Sequence, residues 1–179
     1  MEVKPVFVED VFSEDVFSVI ADHLKAIDYY PVDLGNATMF AQELQPTICE
    51  MIEGAISKHW GKELVPIKTF ARYNDEWLDT SFRVHSDGEI EGQQPTVAAV
   101  YYIDCGGSGT ALMSHSTYGS RGKGIFIEDD GLWQVDQFVE GKPNSMVVYE
   151  ADAFHTRYPH QAKDTRLVIV SFMREANDE

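Results

Sequence analysis

The sequence predicts a mainly β protein with two N-terminal helices, its strands forming an antiparallel sandwich or barrel of the jelly-roll kind. Three observations predict it. From Leu64 onward, short runs rich in β-branched and aromatic residues recur at regular spacing. Before Leu64, two stretches instead place apolar residues at helical intervals. No internal repeat or low-complexity segment interrupts either part. At 179 residues the chain suits one domain with a substantial core. We expect 1–62 to be a helical support layer and 63–174 the β core of that single domain.

The first helix is expected to start at Ser13, which can cap, followed by Glu14 and Asp15, which suit the positive end of the helix dipole. Val16, Ile20, Leu24 and Ile27 form its apolar stripe, and Tyr29-Tyr30-Pro31 ends it. Met39 to Leu44 reads as a short helical turn. Pro46 is well placed at a first helical position, Ile48, Ile52, Ala55 and Ile56 mark a buried face, and Gly61 is a natural stop. The β-rich runs then follow at 65–73, 81–85, 96–103, 109–114, 124–127, 132–139, 145–149 and 166–173. Asp129-Asp130-Gly131, between two of them, predicts a hairpin. Asp87 to Pro95 is polar and glycine-containing, either a flap or a plain surface loop.

Composition excludes several classes. A formal net charge of −16 argues against a nucleic-acid partner, because phosphate backbones are met by Lys and Arg. Its plainest meaning is a well-solvated acidic surface. Cys49 and Cys105 lie far apart without a CxxC spacing, which argues against a disulfide scaffold and a paired-cysteine zinc site. No basic region followed by an apolar core opens the chain, so no signal peptide is expected. No apolar run approaches ~18 residues, so no membrane span is expected either. We expect a cytoplasmic protein.

Chemistry concentrates at His85-Ser86-Asp87. In an extended chain residues i and i+2 project from one face, so His85 and Asp87 point at one spot. Imidazole plus carboxylate is two-thirds of the facial triad that holds non-haem Fe(II) with positions left open. His155, beyond the strand-like run Ser145 to Tyr149, is the third candidate, and His115 its strongest rival. His23 reads as a structural or surface residue, His59 or Trp60 completes the buried face of the second helix, and His160 is set aside as a ligand. Arg166 opens the apolar strand Leu167 to Phe172, where a guanidinium suits a bidentate grip on a carboxylate. Arg121 and Lys123, in a glycine-rich loop, either meet an acidic group or are solvated.

From Phe70 to Phe172 the chain resembles the 2-oxoglutarate- and Fe(II)-dependent dioxygenases, specifically the prolyl-4-hydroxylase-like group. The resemblance runs through Ala71-Arg72-Tyr73, His85-Ser86-Asp87, Tyr101-Tyr102-Ile103-Asp104, Gly106-Gly107-Ser108-Gly109-Thr110, Pro143 to Tyr149, His155 and Arg166. It implies a double-stranded β-helix that uses O2 and 2-oxoglutarate to hydroxylate a substrate carbon, releasing succinate and CO2. By position it implies His85, Asp87 and His155 as iron ligands and Arg166 as partner of the distal 2-oxoglutarate carboxylate. Tyr102 would assist Arg166, and Tyr73 would line the iron and co-substrate pocket.

The sequence departs from that pattern at several points. Met146 stands where glycine is usual, and the Gly106 to Thr110 element is one residue longer, which bears on Thr110. The longer interval from His155 to Arg166 calls for a bulge near Tyr158-Pro159-His160, and Arg157 competes for the anion. Asp87 in place of Gly or Ala disfavours the halogenating variant of this chemistry. The expected partner is a small-molecule or peptide substrate, with peptidyl or free proline the first guess. A cupin-type metal protein without oxygenase chemistry and a silent β-sandwich binding module are the alternatives, and neither requires Arg166.

Overall fold

Thr96 to Asp104 is buried along nearly its whole length, which an isolated two-layer sheet could not achieve. A computed structural model, describing residues 3–33, 38–74, 84–159 and 165–176, shows why: the main sheet is covered on both faces. Its strands are β1 (Val6–Val8), β2 (Tyr30–Asp33), β3 (Thr38–Glu43), β4 (Leu64–Asn74), β6 (Val97–Asp104), β10 (Ser145–Glu150) and β12 (Arg166–Glu175). They run in the order β1-β10-β6-β12-β4-β3-β2. A second sheet, in the order β8-β5-β11-β7-β9, holds β5 (Val84–His85), β7 (Gly109–His115), β8 (Phe126–Ile127), β9 (Trp133–Glu140) and β11 (His155–Tyr158). Every pairing between these strands is antiparallel.

The helices form as their sequences dictate. Helix α1 (Glu14–Ala26) is capped by the Ser13 hydroxyl, which accepts from the Val16 N–H at 3.4 Å. Ile20, Ala21 and Leu24 are its buried residues. Helix α2 (Pro46–Trp60) starts on a proline and stops at Gly61, whose φ of 78° is the left-handed conformation a glycine adopts without strain. Both helices lie on one face of the main sheet, against Ala71, Val97, Ala99, Tyr101, Met146, Val148, Leu167 and Ile169. The alternate residues Ala98, Val100, Tyr102, Val147, Tyr149 and Val168 face the second sheet and meet Leu112 and Val139 there. The functional question therefore turns on which face each side chain takes.

Three expectations are corrected. Met39 to Leu44 is no helical turn: β3 takes that segment, pairing Phe40 with Tyr73 and Glu43 with Phe70 along the open edge of β4. A six-residue segment has too few internal hydrogen bonds to hold a helix, whereas a sheet edge satisfies its backbone at once. The support layer is accordingly not purely helical, since β1, β2 and β3 extend the main sheet at both ends. Asp129-Asp130-Gly131 also makes no hairpin. Strand β8 pairs with β5 and β9 with β7, at opposite edges of the second sheet. The Asp side chains instead close local turns, Asp129 accepting from the Gly131 N–H and Asp130 from the Leu132 N–H, each at 3.0 Å.

Asp87 to Pro95 folds as a tied loop, with reciprocal backbone bonds between Ile90 and Gln93 and a 2.5 Å ion pair from Lys68 to Glu91. Residues 81–83 of the expected strand 81–85, and His160 of the expected bulge, lie outside the described residues. Among the described residues no helix is long and apolar enough to cross a membrane.

Candidate metal centre

Strand β5 places His85 opposite His155 of β11, the two residues being direct cross-strand partners. Their rings stand 4.4 Å apart between centroids. Asp87 follows β5 and is fixed by its backbone: its N–H donates to Ala151 O at 2.9 Å, and its carbonyl accepts from Gly124 N–H at 3.2 Å. Asp87 Oδ1 then lies 3.9 Å from His85 Nε2 and 3.7 Å from His155 Nε2. Ligand atoms from all three residues fall within 4.8 Å of one another.

The donor chemistry fits a divalent cation. Ala153 O, at 2.9 Å, can only accept from His155 Nδ1–H. That contact fixes the tautomer and leaves the Nε2 lone pair facing Asp87. Asp87 Oδ2 is buried and has no hydrogen-bond partner. A buried carboxylate oxygen left without a partner is costly, and a metal ion removes the cost. Burial pushes the Asp87 carboxyl up to about 6, against the opposing pull of His85 and Arg72. Burial likewise draws His155 down to about 4, so its ring is neutral at physiological pH and free to donate to a cation. The His85 side chain is 38% exposed against 7% for Asp87, so the cluster is open on the His85 side.

Arg166, at the start of β12, is buried, and its Nε has no partner. Strand alternation sets it on the face of Val168, toward the second sheet, since Leu167 packs with the helices. Its charge reaches the site: it favours the ionised forms of Tyr102 and Tyr149, whose phenols burial raises well above the ordinary value, and disfavours the charged form of His155. Tyr102 is fully buried on the same layer and donates to Thr110 Oγ1 at 2.7 Å. The longer glycine element thus still delivers Thr110 to this layer.

Tyr73 is placed differently from expectation. It packs against the helix-side core, 5.5 Å from Tyr29, and lines a cavity of about 280 Å³ with Leu24, Ile27 and Leu167. Its neighbours Arg72 and Asn74, one residue out of phase, take the inward face. Arg72 Nε donates to Asn74 Oδ1 at 3.2 Å, and its charge is felt by Asp87, Tyr149 and His155. Tyr73→Phe is therefore expected to leave 2-oxoglutarate affinity within about twofold of wild type, as a change remote from a site does. Isothermal titration of the metal-loaded protein checks it.

Two further side chains were not singled out by sequence. Tyr149 lies against His155 with tilted rings 4.8 Å apart between centroids, and Arg72 is a guanidinium whose charge reaches Asp87 and His155. His115, the rival ligand, is a structural residue. Its Nε2 meets Asp130 at 2.9 Å while Nδ1 accepts from the N–H groups of Thr117 and Tyr118. Arg121 and Lys123 part company: Arg121 is ion-paired to Glu150 and Asp152, whereas Lys123 is exposed. Met146, the departure from glycine, faces the helices and not the site.

No protein-family model matches the chain, and no curated protein matches it in sequence. Solved structures do resemble it in fold. A Pseudomonas putida prolyl-4-hydroxylase superposes with a TM-score of 0.64 at 16% identity, covering 97% of this chain and 93% of that one. SnoK, a non-haem alpha-ketoglutarate-dependent carbocyclase from nogalamycin biosynthesis, gives 0.65 at 11% identity, over 98% and 81%. SnoN, an epimerase solved with Fe3+ and alpha-ketoglutarate, gives 0.62 at 13% identity, over 96% and 79%. The chain has the double-stranded β-helix fold of these 2-oxoglutarate-dependent non-haem iron enzymes.

Proposed function

We propose that the protein is an Fe(II)- and 2-oxoglutarate-dependent dioxygenase that hydroxylates a carbon of a small-molecule or peptide substrate. The observation that carries this reading is the convergence of His85, Asp87 and His155, with an unpartnered Asp87 oxygen, beside a layer that also buries Arg166. In it, the three side chains hold the metal from one face. His155 is locked as a neutral donor by Ala153, and Asp87 supplies the negative charge. Arg166 grips the distal carboxylate of 2-oxoglutarate, and Tyr102 and Thr110 supply the hydroxyl groups beside it. The main sheet excludes water behind these groups, and the half-exposed His85 side admits the substrate. When bound, iron and 2-oxoglutarate draw on O2 to turn C–H into C–OH, with succinate and CO2 released.

The prolyl-4-hydroxylase among the similar structures makes peptidyl and free proline the first substrates to try, ahead of other amino acids and small metabolites. A cupin-type metal protein would use the same three ligands but leave Arg166 without a purpose. Anaerobic titration with Fe(II) and then 2-oxoglutarate is expected to develop the weak visible charge-transfer band of the chelate. Bound Fe(II) without that band would reject the co-substrate. A peptide and metabolite screen reading succinate then identifies the substrate.

A further inference from the structure

The loop from Ser120 to Ile125 does more than connect strands. At one end it holds the segment before His155: Ser120 O accepts from Phe154 N–H at 3.0 Å, and Gly122 N–H donates to Asp152 O at 2.8 Å. At the other end it holds the His-x-Asp segment. Ser86 N–H donates to Ile125 O at 3.0 Å, Ile125 N–H to the Ser86 hydroxyl at 3.2 Å, and Gly124 N–H to Asp87 O at 3.2 Å. Gly122 sits where these grips meet. A Cβ there would come within 2.9 Å of the Phe154 ring and 3.1 Å of the Ser86 hydroxyl. Gly124, at φ +61°, approaches Gly88 so closely that a Cβ would lie 3.0 Å from its Cα.

The segment Glu150 to Phe154 is the other half of the device. Ala151 O holds Asp87 N–H, and Ala153 O holds the His155 ring, so one short stretch orients two ligands at once. Its acidic side chains Glu150 and Asp152 are both taken by the Arg121 guanidinium, the Asp152 contact being 2.7 Å. We propose that Arg121 is a positioning residue for the metal centre, clamping the 120–125 loop onto the 150–154 segment so that His85, Asp87 and His155 are held in ligating arrangement. This rests on the metal-binding reading above.

The clamp's effect is separable from global stability. The side chains of Arg121, Glu150 and Asp152 are 24%, 37% and 39% exposed, so solvent screening keeps the ion pairs' contribution to folding small. Removing a group that orients ligands instead costs roughly 10–100-fold in metal affinity. The experiment titrates the metal-free, full-length protein with Co(II), read by its visible ligand-field bands, alongside circular dichroism and melting of the metal-free forms. Arg121→Met is expected to weaken Co(II) binding by roughly 10–100-fold with melting close to wild type. Arg121→Lys, able to reach one carboxylate at a time, restores most of the affinity, and Lys123→Ala changes nothing. Wild-type affinity in Arg121→Met overturns the proposal. So does a loss of affinity that merely tracks a fall in metal-free melting across the variants. If Arg121→Met does not fold, Arg121→Gln decides, and wild-type affinity in it overturns the proposal. Failure of the wild-type protein itself to bind Co(II) or Fe(II) would instead count against the metal-centre reading.

Discussion

Asp87→Ala is expected to abolish measurable Fe(II) binding while leaving the metal-free protein as stable as wild type or more so. Two opposing effects meet at this carboxylate. Without a cation it is a liability: Oδ2 is buried with no partner, and burial raises its pKa to about 6. A buried polar group left unpaired costs about 1–3 kcal/mol, and truncation removes that cost. The space vacated is bordered by two imidazoles, polar enough to admit water rather than leave a dry void. With a cation the balance reverses, because imidazoles ligate a metal in their neutral form and Asp87 carries the ligand set's negative charge. Its loss is expected to exceed the roughly 10–100-fold typical of orienting groups. Anaerobic Fe(II) titration and thermal melting of the metal-free variant measure both. Retained affinity removes Asp87 from the ligand set. A metal-free variant melting well below wild type shows that the carboxylate has an internal partner.

The sequence makes His85 and Asp87 legible because spacing of two along an extended chain is a local property. Their meeting with His155 is not local, and depends on β11 pairing with β5 in a register that puts the two histidines directly opposite. Tyr73 fails for a related reason. The main sheet is covered by helices on one face and by the second sheet on the other, so Leu64 to Asn74 shows no clean apolar–polar alternation to fix its phase. One residue of phase decides everything, and it gives the inward face to Arg72. Arg166 is legible because it opens the apolar run Leu167 to Val170, whereas Arg72 shares its strand with Lys68, Thr69 and Asn74 and does not stand out.

The Asp129-Asp130-Gly131 turn shows the other limit. Turn chemistry reports that the chain reverses there, and the structure keeps that local content as two side-chain-closed turns. Which strands pair afterwards is set by the wrapping of the whole barrel, which carries β8 and β9 to opposite edges. Short strands β1, β2 and β3 were hidden similarly. Strands β1 and β3 take their hydrogen bonds from β10 and β4, sheet edges built by distant residues, and β2 follows by pairing with β3, so little in their own sequence announces them.

Arg166→Met is expected to weaken 2-oxoglutarate binding by about 100-fold or more with Fe(II) affinity nearly unchanged. A guanidinium meets a carboxylate through two charge-assisted bonds, each worth roughly 1.5–3 kcal/mol. Methionine retains the apolar stem, so packing beside Tyr102 and Val168 is kept and the loss reports the charged head. Arg166→Lys is expected to fall between, since an ammonium cannot make the planar two-point contact. Titration calorimetry of 2-oxoglutarate into the anaerobic Fe(II) protein gives the numbers. The variant also separates Arg166 from its two competitors. Arg157, two residues beyond His155 and so on the same face of β11, pairs with Thr110, and Arg72 lies on β4 beside the strand that carries Arg166. If either of them is the clamp, Arg166→Met binds 2-oxoglutarate as wild type does, and the loss moves to Arg157→Met or Arg72→Met. A loss confined to Arg166→Met assigns the carboxylate to the buried Arg166 of β12.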